Sequence, residues 1–218
     1  MHGVGSRNKL TPSHARLYPG ESMLDALGRA ICAVDCLPRK ELHEAWEMAT
    51  RVRERFRGGR VIDLCSGFGL LAQVMLLLDD TSSEAVAVDV KLPPNHGKVR
   101  DAVAGAFPRV RDRVRFVQAP LASVPIAPDD VVVSAHACST LTDDVLARAV
   151  DAGARVAVVP CCHAFRWRTD LAAWDDPALA IDIERTARLR ALGYDVVTDT
   201  IPAEVSPKNR LLLAAPAR

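Results

Sequence analysis

The chain has 218 residues, 49% of them apolar, and a formal net charge of +1. That length and apolar content suit one ordinary domain with a real core, and the near-neutral balance argues against a protein that lives by non-specific nucleic-acid binding. No apolar run reaches the roughly 18–20 residues that span a bilayer, so no membrane partner is expected.

Residues 1–20 are polar and rich in glycine and proline, and are expected to lie loose or draped over the rest. They lack the apolar core of a secretory signal, so the expected setting is the cytoplasm, where thiols stay reduced. The six cysteines (Cys32, Cys36, Cys65, Cys138, Cys161 and Cys162) are then free, catalytic or metal-bound rather than paired. A helix is expected from Glu21 to about Cys36. After Leu37-Pro38 a second runs to about Arg57, with Leu42, Ala45, Trp46, Ala49 and Val52 near the 3–4 spacing of one buried face. Gly58-Gly59 stops it. Residues 1–57 are therefore expected to form an N-terminal segment and helical cover, and residues 58–218 the main domain.

From residue 61 the pattern alternates. VIDLC (61–65), AVAVDV (85–90), VRFVQA (114–119), DVVVSAH (130–136) and RVAVVP (155–160) are short apolar runs. Helical patterns over Leu70–Leu78, Gly97–Phe107 and Thr142–Ala152 separate them. Continuous apolar strands alternating with helices predict a parallel sheet covered on both faces. A further helix over 177–193 precedes YDVVTDTIPA and NRLLLAAPA, whose short link suits an antiparallel pair. The fold class expected is α/β: a Rossmann-like, doubly wound, mostly parallel seven-stranded sheet with an antiparallel last strand. This is the pattern of the class I methyltransferase fold.

In VIDLCSGFGLL, Asp63, Gly67 and Gly69 sit where the first strand turns into a helix. Glycine permits a tight turn and a close ligand approach. Asp89, twenty residues after Gly69, ends the second strand, where a carboxylate can accept hydrogen bonds from ribose hydroxyls. The run is one glycine short of the dinucleotide fingerprint, with Cys65 in the first glycine's place, and has no Walker-type lysine. It resembles motif I of S-adenosylmethionine (SAM)-dependent methyltransferases. That resemblance implies SAM as cofactor, with Asp63 toward its methionine end and the glycines passing beneath it. A glycine turn without any ligand is the plain alternative. Past the third strand, Pro120 stands where related enzymes often carry an acidic residue for the adenine amine, leaving Gln118 or backbone near Ala119 and Leu121. Cys65 and Ser134 are assigned to the same cofactor-binding set.

The fourth strand leads into SAHACSTLTDD and the fifth into PCCHAF. Neighbouring strands of a doubly wound sheet would crowd His136, Cys138, Cys161, Cys162 and His163 onto the rim where ligands bind. DLCSGFG, SAHACSTLTD and PCCH together resemble the family called methyltransferase domain 32, over roughly residues 39–215. Similar H-x-C-G and CCH elements occur in eukaryotic tRNA 2′-O-methyltransferases of the acceptor stem. Ser139 stands where such motifs carry glycine. The resemblance implies a SAM-dependent methyltransferase and does not name the acceptor.

Three readings of the rim compete. In the catalytic one, His136 is the first choice for a base toward a hydroxyl or amine, His163 the second, and Asp143 or Thr142 orients one of them. In the metal one, the residue types suit zinc, but Cys161 and Cys162 in an extended chain would point to opposite faces, so no metal site is assigned. In the third, the cysteines are small buried strand-end residues, Cys65 and Cys161 above all. Cys138 and Cys162 are placed with the acceptor, as are Lys208, Asn209 and Arg210 of the SPKNR link, which otherwise form a solvated turn. The N-terminal helices are expected over the same rim, bringing Tyr18, Glu41, Glu44 or Trp46 near it. Arginine-rich pieces at 51–60, 109–115 and 166–168 either line a nucleic-acid path or face water. A small-molecule acceptor is favoured over RNA, because no appended RNA-binding domain is evident and only ten aromatic residues (five Phe, three Trp, two Tyr) are available for base stacking. A zinc- or thiol-binding regulator on a methyltransferase-like scaffold is the non-enzyme alternative.

Overall fold

The structure, a computed structural model, describes residues 3–165 and 168–217. Seven apolar runs form its strands: β1 (Val61–Leu64), β2 (Ala85–Asp89), β3 (Val114–Gln118), β4 (Val131–Ser134), β5 (Arg155–Val158), β6 (Tyr194–Thr200) and β7 (Arg210–Pro216). They pair in the order β3-β2-β1-β4-β5-β7-β6. Only β7 opposes its neighbours, pairing antiparallel with both β5 and β6. The strand order reverses between β1 and β4, which places a crevice at their carboxyl ends.

Helices cover both faces, and this explains why the strands lack polar alternation. On one face, α1 (Met23–Val34), α2 (Arg39–Arg55), α3 (Leu70–Leu77) and α4 (His96–Ala106) bury Ile31, Met48, Met75 and Val103 against Val61, Ala87 and Val133. On the other, α5 (Leu141–Asp151) and α6 (Pro177–Ala191) bury Val145, Ala149 and Leu189 against Ile62, Val86 and Val132. Each such valine, isoleucine, leucine or methionine contributes about 1.5–3 kcal/mol when fully buried. Arg53 locks the end of α2 to the β2 side: it pairs with Asp79 at 3.1 Å and donates to the Met75 carbonyl at 3.0 Å and the Ser82 hydroxyl at 2.8 Å.

Two local expectations change. Residues 3–20 are draped but not loose: Leu10 and Tyr18 are buried, Lys9 bridges Pro38, and Pro12–Leu17 forms a 3₁₀ helix. Tyr18 rests on Gly28, where a Cβ would lie 2.3 Å from the ring, and its hydroxyl meets His43 Nε2 at 3.2 Å. Second, β4 stops at Ser134 and β5 at Val158, short of the histidine and cysteines that follow. The chain beyond each is irregular, so its side chains no longer alternate between faces.

Candidate active site

A cavity of about 440 Å³ opens at the carboxyl ends of β1, β2 and β4. The turn from β1 to α3 supplies Asp63, Cys65, Ser66, Gly67 and Phe68; β2 supplies Asp89; the segment after β3 supplies Ala119 and Leu121. Asp89 organises the turn, its two oxygens accepting from Gly67 N at 2.9 Å and Lys91 N at 3.1 Å. The two glycines serve different ends. Gly67 has φ +52°, and a Cβ there would meet nothing within 4 Å, so the ligand side of the turn is bare. Gly69 has φ +68° and a Cβ there would strike Phe116 at 2.4 Å, so its need for glycine is packing. Cys65 adopts φ +58°, the left-handed conformation of the glycine it replaces.

Asp63 is 1% exposed and accepts from Ala72 N, in the first turn of α3, at 3.1 Å. Burial, reinforced by Asp89, pushes its carboxyl up to about 8. A cationic group brought to it would reverse that shift. Ser66 Oγ is buried on the cavity wall without a hydrogen-bond partner. An orphaned hydroxyl, a bare glycine turn and a buried carboxyl together fit a polar, positively charged amino-acid moiety such as the methionine end of SAM.

A second cavity of about 380 Å³ adjoins the first, and the two share Glu41 and His136. Its lining also includes Arg7, Lys40, Glu44, Cys161, Cys162 and Lys208. Burial lowers the pKa of half-buried His136, opposed by nearby Glu44, so the imidazole is neutral near pH 7. Burial, with Glu44 adding to it, raises Glu41 to about 7. Two proton-accepting groups therefore stand at the junction of the cavities.

The rim is tied across the chain. Ser139, at φ +61°, donates its N–H to the Cys162 carbonyl at 2.9 Å, clamping the loop after β4 to the loop after β5. Cys138 and Cys161 Sγ lie 3.3 Å apart. Burial raises both thiols above their ordinary range, which argues against either as a free thiolate nucleophile at neutral pH.

Residues 40–165 match the family model Methyltransf_32, described as a methyltransferase domain. The chain belongs to this family. Curated proteins gave no match. Among solved structures, this methyltransferase domain is similar to cofactor-bound Rv0187 from MTB, at 19% identity and TM-score 0.58, covering 94% of this chain and 97% of that one. It is similar to an O-methyltransferase family protein from Burkholderia thailandensis, at 16% identity and TM-score 0.55, covering 95% and 63%. It is also similar to the M1A22 tRNA methyltransferase TrmK of B. subtilis, at 18% identity and TM-score 0.51, covering 78% and 65%. At these identities the likeness is one of fold.

Several residues assigned from the sequence stand elsewhere in this methyltransferase domain. His163 is buried away from both cavities, with Nε2 on Asp182 Oδ1 at 2.8 Å. Asp143 accepts from Arg185 through both its oxygens, at 2.8 and 2.9 Å. Thr142 donates to the Ala137 carbonyl. Gln118 is exposed at the end of β3 and Ser134 is buried in β4, and neither lines the cavity. Ala119 does, but its N–H already serves the Asp89 carbonyl. Of the SPKNR link, Ser206, Pro207 and Lys208 line the second cavity. Asn209 donates to the Ile201 carbonyl and Arg210 pairs with Asp182 and Asp176. Cys138 is exposed on the rim and Cys162 lines the second cavity.

The sequence assignment missed Ser66 and Phe68, which stand between its own glycine-motif residues, and Arg7, which only the tertiary fold brings in. Among the arginine-rich pieces, Arg51, Arg53, Arg60 and Arg109 pair with Glu47, Asp79, Asp130 and Asp80, and Arg168 with Asp170 and Glu184; residues 166 and 167 lie outside the described residues.

Proposed function

We propose that this chain is a SAM-dependent methyltransferase that modifies a hydroxyl or amine of a small molecule. The observation that carries the proposal is the pair of adjoining cavities with Glu41 and His136 at their junction. The first cavity would hold SAM: Asp63 and Ser66 toward the amino-acid end, the bare backbone at Gly67 beneath it, and Asp89 toward the ribose. When bound, SAM supplies an electrophilic methyl group.

The second cavity would hold the acceptor. His136, neutral because it is buried, accepts the acceptor's proton, and Glu41 is the alternative base on the facing helix. Both act chiefly by position, since alignment of the reacting groups is the largest contribution to such a transfer. Lys40 is paired with Glu44, while Arg7 and Lys208 also line this cavity and favour an acceptor that carries negative charge. The ion pairs of Arg51, Arg53, Arg60, Arg109 and Arg168 with acidic neighbours interrupt the basic runs, which supports a small molecule over RNA.

Calorimetric titration with SAM and its demethylated product tests the reading. Saturable binding of both is expected, and no binding of either at millimolar concentration would sink it. An RNA affinity that falls steeply with salt would move the acceptor to RNA.

A further inference from the structure

Cys138, Cys161 and Cys162 have their sulfurs all within 4.8 Å of one another. The adjacency of Cys161 and Cys162 argues against a shared metal only while the chain is extended. Here β5 ends at Val158, and the irregular chain beyond it turns both sulfurs toward Cys138. We infer that these three thiols form a binding site for one thiophilic divalent cation, zinc being the ion tested, on the rim of the second cavity.

The dimensions suit it. Three sulfurs at about 2.3 Å from a tetrahedral zinc stand about 3.8 Å apart. The cluster spans 3.3 Å for Cys138–Cys161 and at most 4.8 Å overall, so side-chain adjustments alone close it. A disulfide uses only two of three thiols and leaves the third over. The cluster is also held in advance: the hydrogen bond from Ser139 to the Cys162 carbonyl joins the two loops, at a left-handed Ser139. A backbone strained by about 1–2 kcal/mol at that residue persists only where the surroundings over-determine it. A bound cation deprotonates coordinating thiols outright, so their burial does not oppose the site.

Three protein ligands leave a fourth position. Cys161 and Cys162 both line the second cavity, as does Lys208, whose charge partly offsets that of three thiolates around a divalent ion. The fourth position then faces that cavity, open to water or to a donor atom of an acceptor. Only this last consequence rests on the methyltransferase reading; ion binding is tested without SAM.

The test uses the full chain, stripped with chelator under reductant. Titration with Co²⁺ as optical probe should give one ion per chain and a sulfur-to-metal charge-transfer band of three-thiolate intensity. Competition with Zn²⁺ should displace it. Cys138→Ser, Cys161→Ser and Cys162→Ser should each weaken binding on the order of 100-fold, no less than the loss of outer-shell partners costs, whereas Cys36→Ala should leave it unchanged. In case a variant fails to fold, maleimide labelling of the wild-type chain read by mass spectrometry gives a second measure. Zn²⁺ should protect these three cysteines and not Cys65. The site is ruled out by the absence of the band in wild type, by binding that survives all three serine changes, by labelling that Zn²⁺ does not alter, or by a disulfide among the three in protein isolated without reductant that takes up no ion after reduction.

Discussion

The turn after β1 and the rim beyond β4 and β5 lie on one edge of one sheet, yet the chain builds them by opposite means. In the turn, residues 63–69 carry their own geometry: left-handed Cys65, Gly67 and Gly69, with Asp63 reaching the helix that follows. In the rim, the decisive contacts join distant positions: Cys138 to Cys161 across 23 residues, Ser139 to Cys162, Arg185 to Asp143 across 42. The lesson concerns tolerance. A local turn is strained in few ways and its changes are readable one residue at a time. A non-local rim reassigns its members, so the histidine next to candidate Cys162 serves a helix instead.

The sharpest way to separate the two regions is to remove one group from each. His136→Ala should slow turnover by roughly 10²–10⁴, the usual worth of a positioned base, while SAM affinity stays within about threefold. His163→Ala should act instead on stability, since it leaves buried Asp182 one partner short. Equal loss of SAM affinity in His136→Ala would break the division.

Asp89→Ala should do the reverse, weakening SAM binding on the order of 100-fold, the loss expected for charge-assisted hydrogen bonds, as read by calorimetry.

The pH dependence of SAM binding probes Asp63. In the free protein its carboxyl titrates near 8, and a cationic ligand lowers that value. Below pH 8 binding must therefore release a proton, and affinity should rise by up to about tenfold per pH unit, levelling above 8. Asp63→Asn should flatten the profile. Because the folded value lies above the ordinary carboxylate value of 3.8, the same group contributes stability at acid pH that is lost as pH rises through about 8.

Within the turn, Gly69→Ala should cost about 1–3 kcal/mol of stability, because its Cβ overlaps Phe116. Gly67→Ala should cost only about 1 kcal/mol for its φ and act mainly on ligand binding. Chemical denaturation checks both. The smallest effect is expected at Ser139→Gly, which relieves a left-handed backbone and should stabilise the rim by roughly 0.5–1 kcal/mol.

Much of the fold was legible because strand and helix alternation is a local signal. The runs at 61, 85, 114, 130 and 155 became β1 to β5, and the short link between the last two runs pointed to the antiparallel pairing of β6 and β7. The glycine turn after β1 was legible for the same reason, although the structure ties Gly69 to the packing of Phe116. The rim was legible only as a list of chemically able residues. Nothing in the order of residues says that Asp143 will meet Arg185, that Asp182 will take His163 and Arg210, or that β5 will stop two residues before its cysteines.

By itself, then, the sequence determined the sheet, the glycine turn and the edge on which ligands bind, since all three follow from backbone periodicity and from where glycine is needed. Tertiary structure decided which ionisable groups reach the cavities, because burial and partner choice depend on what packs against them from other elements. It left His136 and Glu41 at a junction, drew His163 into a hydrogen bond and Asp143 and Arg210 into ion pairs, and brought three cysteine sulfurs from two loops together.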